Sequence, residues 1–177
     1  MAELDKQFAK RDEEFAKYEA LRKAEMEKFV KEMGHLANRF GEAIEYLIAP
    51  DICEKFVKFG FTFKTATFRQ QISDGQKIIT EIDILLEDTG SMMAIETKTK
   101  PTEWDVNRHL RRLNQILQYP IRAVRGTKLY GAIAGAVVTD DVRELAFKEG
   151  LYVISQTSDN VKVEQPPEYF VAKWLQA

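Results

Sequence analysis

Charged side chains stand on two neighbouring segments that otherwise have the pattern of buried β-strands. Asp83 lies within the apolar segment 82–86, and Glu96 and Lys98 end the apolar segment 92–98 after a short turn. Because the side chains of a strand alternate between its faces, Glu96 and Lys98 share one face, and pairing across the turn brings Asp83 beside them. Two carboxylates and a lysine so placed suit a divalent cation and a nucleophilic water. Charge on buried strands is costly, which favours a metal site over a ladder of surface salt bridges.

The chain offers oxygen ligands rather than sulfur or nitrogen ligands. Cys53 is the single cysteine, and His35 and His109 are the two histidines among 177 residues. An internal disulfide and a cysteine-based zinc site are therefore excluded. A site built from carboxylates favours Mg²⁺ or Mn²⁺.

The composition is typical of a soluble protein with one good core. Apolar residues make up 45% of the chain and charged residues 31%, and the formal net charge is −2. No apolar run approaches the length of a membrane span, and the residues after Met1 do not form a basic and then apolar leader. We therefore expect a cytoplasmic protein with no membrane partner.

Residues 3–33 contain no glycine or proline and are dense in alanine, glutamate and lysine, which predicts one long helix. Its apolar residues fall near heptad spacing, although Arg11, Arg22 and Glu25 interrupt the seam. Such a polar helix favours a coiled coil with other copies of the chain, and hence a homo-oligomer. The expected organisation is an oligomerisation segment, 1–33, followed by a globular domain, 34–177.

The globular part predicts alternating helices and strands. In order, we expect a helix at 35–48, strands at 61–68, 77–86 and 91–99, a helix from Thr102 to about Val124, a strand at 128–138, a helix at 140–149, a strand at 151–154, an edge strand at 161–163 and a docking tail at 166–175. This order predicts an α/β fold whose mixed sheet has antiparallel strands first and parallel strands later, flanked by helices.

The residues that follow the charged hairpin are predominantly basic. From residue 96 to residue 128 there are eight lysines and arginines against three acidic residues. Local basic surface attracts a phosphate backbone whatever the net charge of the protein, although a solvated helix face is the alternative interpretation. The expected contacts to the nucleic-acid backbone are Lys100, Arg108, Arg111 and Arg112.

A helix, a three-stranded meander with acids on its second and third strands, and then a helix and a strand resemble the PD-(D/E)XK phosphodiesterase superfamily, the restriction-endonuclease-like fold. Asp83 and Glu96-Thr97-Lys98 fit its motif, and the resemblance covers roughly residues 36–155. Ile82 stands where a proline often precedes the aspartate. The segments around Asp83 and Glu96 also look like uncharacterised prokaryotic branches that carry an N-terminal coiled coil.

The resemblance implies further site residues. Members often place a glutamate on the helix before the meander, which implies Glu45, with Glu42 as the second choice and a solvated glutamate as the alternative. Gln115 and Tyr119 match the Gln-x-x-x-Tyr pattern of RecB-like members and share one helix face. Gln118 is the alternative to Gln115 at the site.

The resemblance also implies a chemistry. Asp83, Glu96 and the backbone carbonyl of Thr97 would hold Mg²⁺ or Mn²⁺, and Glu81 would extend the acidic cluster or bind a second ion. Lys98 would orient the attacking water or hold the phosphate. The function so implied is a metal-dependent nuclease, a hydrolase acting on DNA, with RNA left open. The alternatives are a catalytically inactive nuclease-like module that binds nucleic acid or assembles an oligomer, and a coiled-coil protein whose globular part binds another protein.

Overall fold

The computed structural model describes residues 17–19, 21–26, 28, 52–118, 127–157 and 160–176. The chain divides into two compact units, Met1–Arg39 and Phe40–Ala177. In the first unit the described residues are helical and exposed, in agreement with the predicted helix at those positions. The rest of that helix, the expected boundary after residue 33 and the predicted helix at 35–48 lie outside the described residues. The coiled coil stays a prediction.

The second unit is a mixed α/β structure. Its helices are α1 (Ile52–Lys55), α2 (Glu103–Gln118) and α3 (Asp140–Lys148), with a short 3₁₀ turn at Val57–Phe59. Its strands are β1 (Thr65–Ser73), β2 (Ile78–Glu87), β3 (Ser91–Lys98), β4 (Lys128–Gly135), β5 (Tyr152–Gln156), β6 (Val161–Val163) and β7 (Trp174–Gln176). In the described ranges no helix combines the length and apolarity needed to cross a membrane.

The strands form one sheet in the order β1-β2-β3-β4-β5-β6, with β7 paired to β4. Strands β1, β2 and β3 are an antiparallel meander, and β3, β4 and β5 are parallel. Helix α2 connects β3 to β4, and α3 connects β4 to β5, because parallel neighbours require a crossover. The predicted mixed sheet, antiparallel first and parallel later, is confirmed.

Two aspartate turns set the pairing of the meander. Asp74 Oδ1 accepts hydrogen bonds from the backbone of Gln76 and Lys77, at 2.9 and 3.0 Å. Asp88 Oδ1 accepts from Gly90 and Ser91, both at 2.7 Å. Such side-chain bonds to the backbone two or three residues on are what make aspartate a turn residue. The second turn therefore joins β2 to β3 at the hairpin that carries the charged residues.

Both faces of the sheet are buried, as expected for strands covered on two sides. On the face covered by α2, Leu85, Ala94 and Ile133 pack with Val106 and Leu113 of the helix. On the opposite face the core consists of the alternate strand residues and an aromatic group, which are Ile84, Ile95, Ala132, Ile154, Phe56, Phe61, Phe63 and Tyr152. Charged groups on these strands are therefore surrounded by apolar packing.

Helix α2 is capped at its start by a reciprocal pair of hydrogen bonds. Asp105 Oδ2 accepts from the backbone N–H of Thr102 at 3.0 Å and from its hydroxyl at 2.7 Å. The Thr102 hydroxyl accepts from the Asp105 N–H at 3.4 Å. This satisfies N–H groups at the helix start, which otherwise lack partners. The helix starts where the sequence predicts it, next to Thr102, and its described part ends at Gln118.

Some predicted strand limits were wrong. Phe61 and Phe63 precede β1 and stack on each other, with ring centroids 4.9 Å apart, so this aromatic run belongs to the core rather than to a strand. Strand β4 ends at Gly135, because the chain then turns and the Val137 N–H donates to the carbonyl of Thr99. The expected tail contains β7, which pairs with β4 at Lys128–Tyr130. Local composition predicts apolar character for these segments. Whether such a segment pairs as a strand depends on residues that are distant in the sequence.

Candidate active site

The hairpin brings Asp83, Glu96 and Lys98 together. Ile84 pairs with Ile95, so Asp83 and Glu96 are the next neighbours across β2 and β3. Glu96 is 1% exposed, and its Oε1 lies 2.9 Å from the ammonium of Lys98. The negative charge of Glu96 and the positive charge of Lys98 both act on the Asp83 carboxyl. The two acids and the lysine therefore form one cluster at the carboxyl end of β3, beside the middle of β2.

Asp83 and Lys98 are both held by Thr97. Asp83 Oδ2 accepts from the Thr97 N–H at 2.7 Å and from its hydroxyl at 3.1 Å. The Lys98 ammonium donates to the Thr97 carbonyl at 3.1 Å as well as reaching Glu96. Two hydrogen bonds orient the aspartate carboxyl, and two acceptors orient the lysine. The side chain of Lys98 remains 34% exposed, so its ammonium lies at the boundary between the cluster and solvent.

Two arginines of α2 complete the surroundings of Glu96. Arg108 Nη2 donates to Oε1 at 2.7 Å, and Arg112 Nη1 donates to Oε2. Residues four apart lie on the same face of a helix, so both guanidinium groups reach the sheet together. These arginines were predicted to contact nucleic acid, and their contact with Glu96 was not predicted from the sequence. The signal was available in principle, since a buried glutamate requires counter-charge and the next element carries an i, i+4 arginine pair.

The electrostatics of the two acids differ. Burial, and then the negative charge of Glu96, raise the pKa of Asp83 above its ordinary value. Burial would also raise the pKa of Glu96, but the hydrogen bond and charge of Lys98, followed by the charge of Arg112, hold that pKa below its ordinary value. Glu96 is thus the firmly ionised member of the pair, because basic groups outweigh its desolvation.

His109 lies on the same helix as the two arginines, but its ring contacts the backbone of β3 rather than the charged cluster. It is completely buried between α2 and the sheet, and its Nε2 lies 3.1 Å from the carbonyl oxygen of Ala94. Since a carbonyl can only accept, Nε2 carries the hydrogen, and Nδ1 has no partner within the described residues. Burial lowers the pKa of His109 to about 4, so the ring is neutral near pH 7.

Trp104 stands beside the cluster. The guanidinium carbon of Arg108 lies 4.7 Å from the centroid of the indole ring, a cation–π arrangement. Trp104 itself is 59% exposed. From the sequence, Trp104 was predicted only to lie at the helix start. Its contact with Arg108 was not predicted, because it depends on the orientation that Glu96 imposes on Arg108.

Other predicted site residues lie on β2, on α2 and on the loop that precedes α2. Glu81 of β2 accepts an exposed hydrogen bond from Gln71 Nε2 of β1 at 3.0 Å. The remaining predicted nucleic-acid contacts, Lys100, Arg111 and Gln115, are exposed. Glu45 and the alternative Glu42 lie outside the described residues, as does Tyr119. Their predicted roles remain predictions.

The donor atoms of the cluster are of the kind that Mg²⁺ and Mn²⁺ prefer. Asp83, Glu96 and the Thr97 carbonyl supply oxygen, and Mg²⁺ is commonly held by one or two carboxylates while it keeps several waters. Within the described ranges no three acidic, histidine or cysteine side chains converge on a metal position. Because the Glu96 oxygens and the Thr97 carbonyl already accept from basic side chains, a cation bound there would compete with those contacts.

Comparison with known proteins finds solved structures of low similarity. No protein-family model matches the sequence, and no curated protein matches it. The small subunit of the heterodimeric restriction endonuclease R.BspD6I is 21% identical with a TM-score of 0.35, over 65% of this chain and 62% of that chain. SfsA of Pyrococcus furiosus, solved in complex with Ca²⁺, is 12% identical with a TM-score of 0.29, over 74% of this chain and 62% of that one. The matched part spans less than two thirds of either solved chain, and at these values neither likeness assigns an activity.

Proposed function

We propose that this chain is a metal-dependent phosphodiesterase that hydrolyses DNA. The observation that supports the proposal is the convergence of Asp83, Glu96 and Lys98 on adjacent strands, surrounded by apolar packing. Burying charge costs free energy, so such a cluster is retained when it serves a purpose. Membership of the PD-(D/E)XK superfamily is part of the same proposal.

Each residue of the cluster has a role in this reaction. Asp83, Glu96 and the Thr97 carbonyl would hold Mg²⁺ or Mn²⁺, which when bound lowers the pKa of a water and stabilises negative charge on the phosphate. Lys98 lies between Glu96 and the Thr97 carbonyl, at the solvent boundary. From there its ammonium would hold the scissile phosphate or orient the attacking water as a positive charge.

Basic residues around the cluster favour a polyanionic substrate. Arg108 and Arg112 are each partly exposed while they contact Glu96. Lys100 is exposed on the loop between β3 and α2, and Arg111 is exposed on α2. Exposed lysine and arginine side chains bind the phosphate backbone without reading the base sequence. Exposed Gln115 would add a neutral contact along α2.

The decisive experiment is cleavage of plasmid and oligonucleotide DNA with Mn²⁺ or Mg²⁺. Wild-type protein is expected to cut, and Asp83→Asn and Lys98→Ala are expected to lower the rate by on the order of a hundredfold or more, because each removes charge or a ligand at the reacting phosphate. Matched controls are Glu54→Gln on α1 and Lys162→Ala on β6, which remove exposed groups from other elements. Circular dichroism shows whether each variant is folded.

Two results would overturn this proposal. One is cutting by folded Asp83→Asn and Lys98→Ala at the wild-type rate, which would indicate a contaminating nuclease. The other is the absence of cutting by wild-type protein on single-stranded, duplex and branched DNA in the presence of either metal.

A second candidate function is favoured by the contacts of Glu96. Both of its oxygens accept from basic side chains, so the cluster is already neutralised without a metal. An inactive nuclease-like module that binds nucleic acid would have this property. Titration calorimetry with Mn²⁺ separates the two, because the module binds DNA but shows no heat of metal binding at millimolar concentration.

Assembly belongs to the proposal as well. The helix predicted at 3–33 would join copies of the chain in the cytoplasm, so that two sites face two DNA strands. Sedimentation of the full chain and of a variant lacking residues 1–33 tests this. A full chain that sediments as a monomer contradicts it.

A further inference from the structure

Trp104 is an exposed aromatic residue next to the candidate active site. It lies in the first turn of α2, directly after the loop that leaves β3, and it is 59% exposed. Exposed indole surface does not contribute to the hydrophobic core, since its area is not removed from water. Aromatic rings exposed beside polar groups are enriched at binding surfaces.

The ring of Trp104 is held by the cluster itself. Arg108 lies over the indole at 4.7 Å, and the same guanidinium donates to buried Glu96 at 2.7 Å. Because the carboxylate orients the arginine, the arginine in turn orients the indole. The indole is thus held by a cation that itself contacts Glu96, while Trp104 remains 59% exposed.

The exposed acids Glu103, Asp141 and Glu144 border one cleft at the start of α2. Basic groups follow the loop and the helix that carry the ring. Lys98 and Arg108 are partly exposed, and Lys100 and Arg111 are exposed. A ligand that stacks on Trp104 next to these groups would carry both a flat aromatic ring and negative charge. A nucleotide within a DNA strand has this combination.

We propose that Trp104 is a stacking platform for an unpaired nucleobase, and that the substrate is therefore single-stranded DNA or DNA with an unpaired nucleotide at the cluster. In a duplex both faces of an internal base are covered by neighbouring bases, so the Trp104 indole cannot stack on that base. An unpaired base presents a free face, and stacking on an aromatic side chain is tolerant of sequence. This inference rests on the proposed function for DNA as the ligand, and it is independent of cleavage.

Binding in EDTA tests the platform without hydrolysis. The probes are a fluorescently labelled oligothymidylate of about a dozen nucleotides, long enough for one typical site, and a blunt duplex of equal length. Trp104→Ala is expected to weaken single-strand binding by about tenfold, the loss that follows from one base–aromatic stack, and to leave duplex binding unchanged. Trp104→Phe keeps a ring and should retain most of the affinity.

Phe68→Ala is the matched control, because it removes an exposed aromatic ring from β1, away from α2. It should leave both affinities at the wild-type value. Tryptophan emission gives a second readout. The oligothymidylate should quench the emission of the wild-type protein and should lose most of that effect on Trp104→Phe.

The platform is overturned if Trp104→Ala binds the single strand as tightly as wild type, or if it loses the same factor on the duplex. It is also overturned if the variant changes only the sedimentation of the protein, since Trp104 would then contact a second copy. Wild-type protein that binds single strands through Trp104 but never cuts them contradicts the proposed hydrolysis alone. Wild-type protein that cuts DNA while Trp104→Ala binds normally contradicts the platform alone.

Discussion

At the scale of single residues, the site is organised around the buried carboxylate of Glu96. An isolated buried charge is expensive, and Glu96 offsets that cost with contacts to Lys98, Arg108 and Arg112. The pKa of Glu96 is consequently low, while that of neighbouring Asp83 is raised by burial and by the charge of Glu96. A bound divalent cation would supply part of the positive charge that the basic residues now provide to Glu96.

We therefore expect Arg112→Gln to bind Mn²⁺ more tightly than wild type in the absence of DNA. The substitution removes a cation that competes for Glu96 Oε2, and a hydrogen bond to a charged group contributes about 1.5 kcal/mol or more, which corresponds to an affinity gain on the order of tenfold. Titration calorimetry measures it.

Arg111→Gln is the matched control for this measurement, because it removes the same charge from an exposed neighbouring position that does not contact Glu96. Equal Mn²⁺ affinity of Arg112→Gln and wild type would show that the arginine does not compete with the ion.

At the scale of elements, α2 determines the geometry of the site because both arginines that contact Glu96 among the described residues lie on it. The helix lies close to the sheet at Gly131 of β4. A Cβ at this position would lie 2.6 Å from Leu113 Cδ1 and 2.6 Å from Leu151 Cδ2. The glycine therefore makes room for Leu113, which lies on the same helix as the arginines that contact Glu96.

Gly131→Ala is expected to lower the free energy of unfolding by about 1–3 kcal/mol, since an added methyl group forces Leu113 or Leu151 out of position in a packed core. Urea denaturation measures this. Gly90→Ala in the β2–β3 turn is the control, because its added Cβ would meet nothing within 4 Å. If both alanine variants were equally stable, α2 would not be packed as closely as described.

At the scale of the whole molecule, His109 links stability to pH. Its pKa falls from 6.5 in the ordinary environment to about 4 when the fold buries it. Between these two values the unfolded chain binds a proton that the folded chain does not bind, so stability decreases as the pH falls through this window and levels off below it.

The free energy of unfolding of wild-type protein, measured in EDTA, should fall by up to about 3 kcal/mol more than that of His109→Gln between about pH 6.5 and about pH 4. Glutamine keeps a donor for the Ala94 carbonyl but does not titrate. Parallel pH profiles of the two proteins would mean that the folded chain already accommodates the imidazolium.

Much of this fold was predictable because its determinants are local. Period-two alternation indicated β2 and β3 with a short turn between them, and the helix after β3 was predicted to start at Thr102. The paired placement of Asp83 with Glu96 follows from the turn and the alternation together. The limits of β1 and β4 were less predictable, because aromatic and apolar runs continue from strands into core-packing segments.

The sequence by itself determined the order of the elements from β1 to β6, the charged hairpin and the kind of ligand atoms at the candidate site. Only the tertiary structure decided that Arg108 and Arg112 contact Glu96, that Arg108 lies over Trp104, and that the strand at 174–176 pairs with β4. The physical reason is that these contacts join residues far apart in the sequence, whose relative position depends on how the elements pack. Alternation and turn chemistry depend on residues a few positions apart, whereas these contacts require a helix to pack on a completed sheet at one particular distance and rotation.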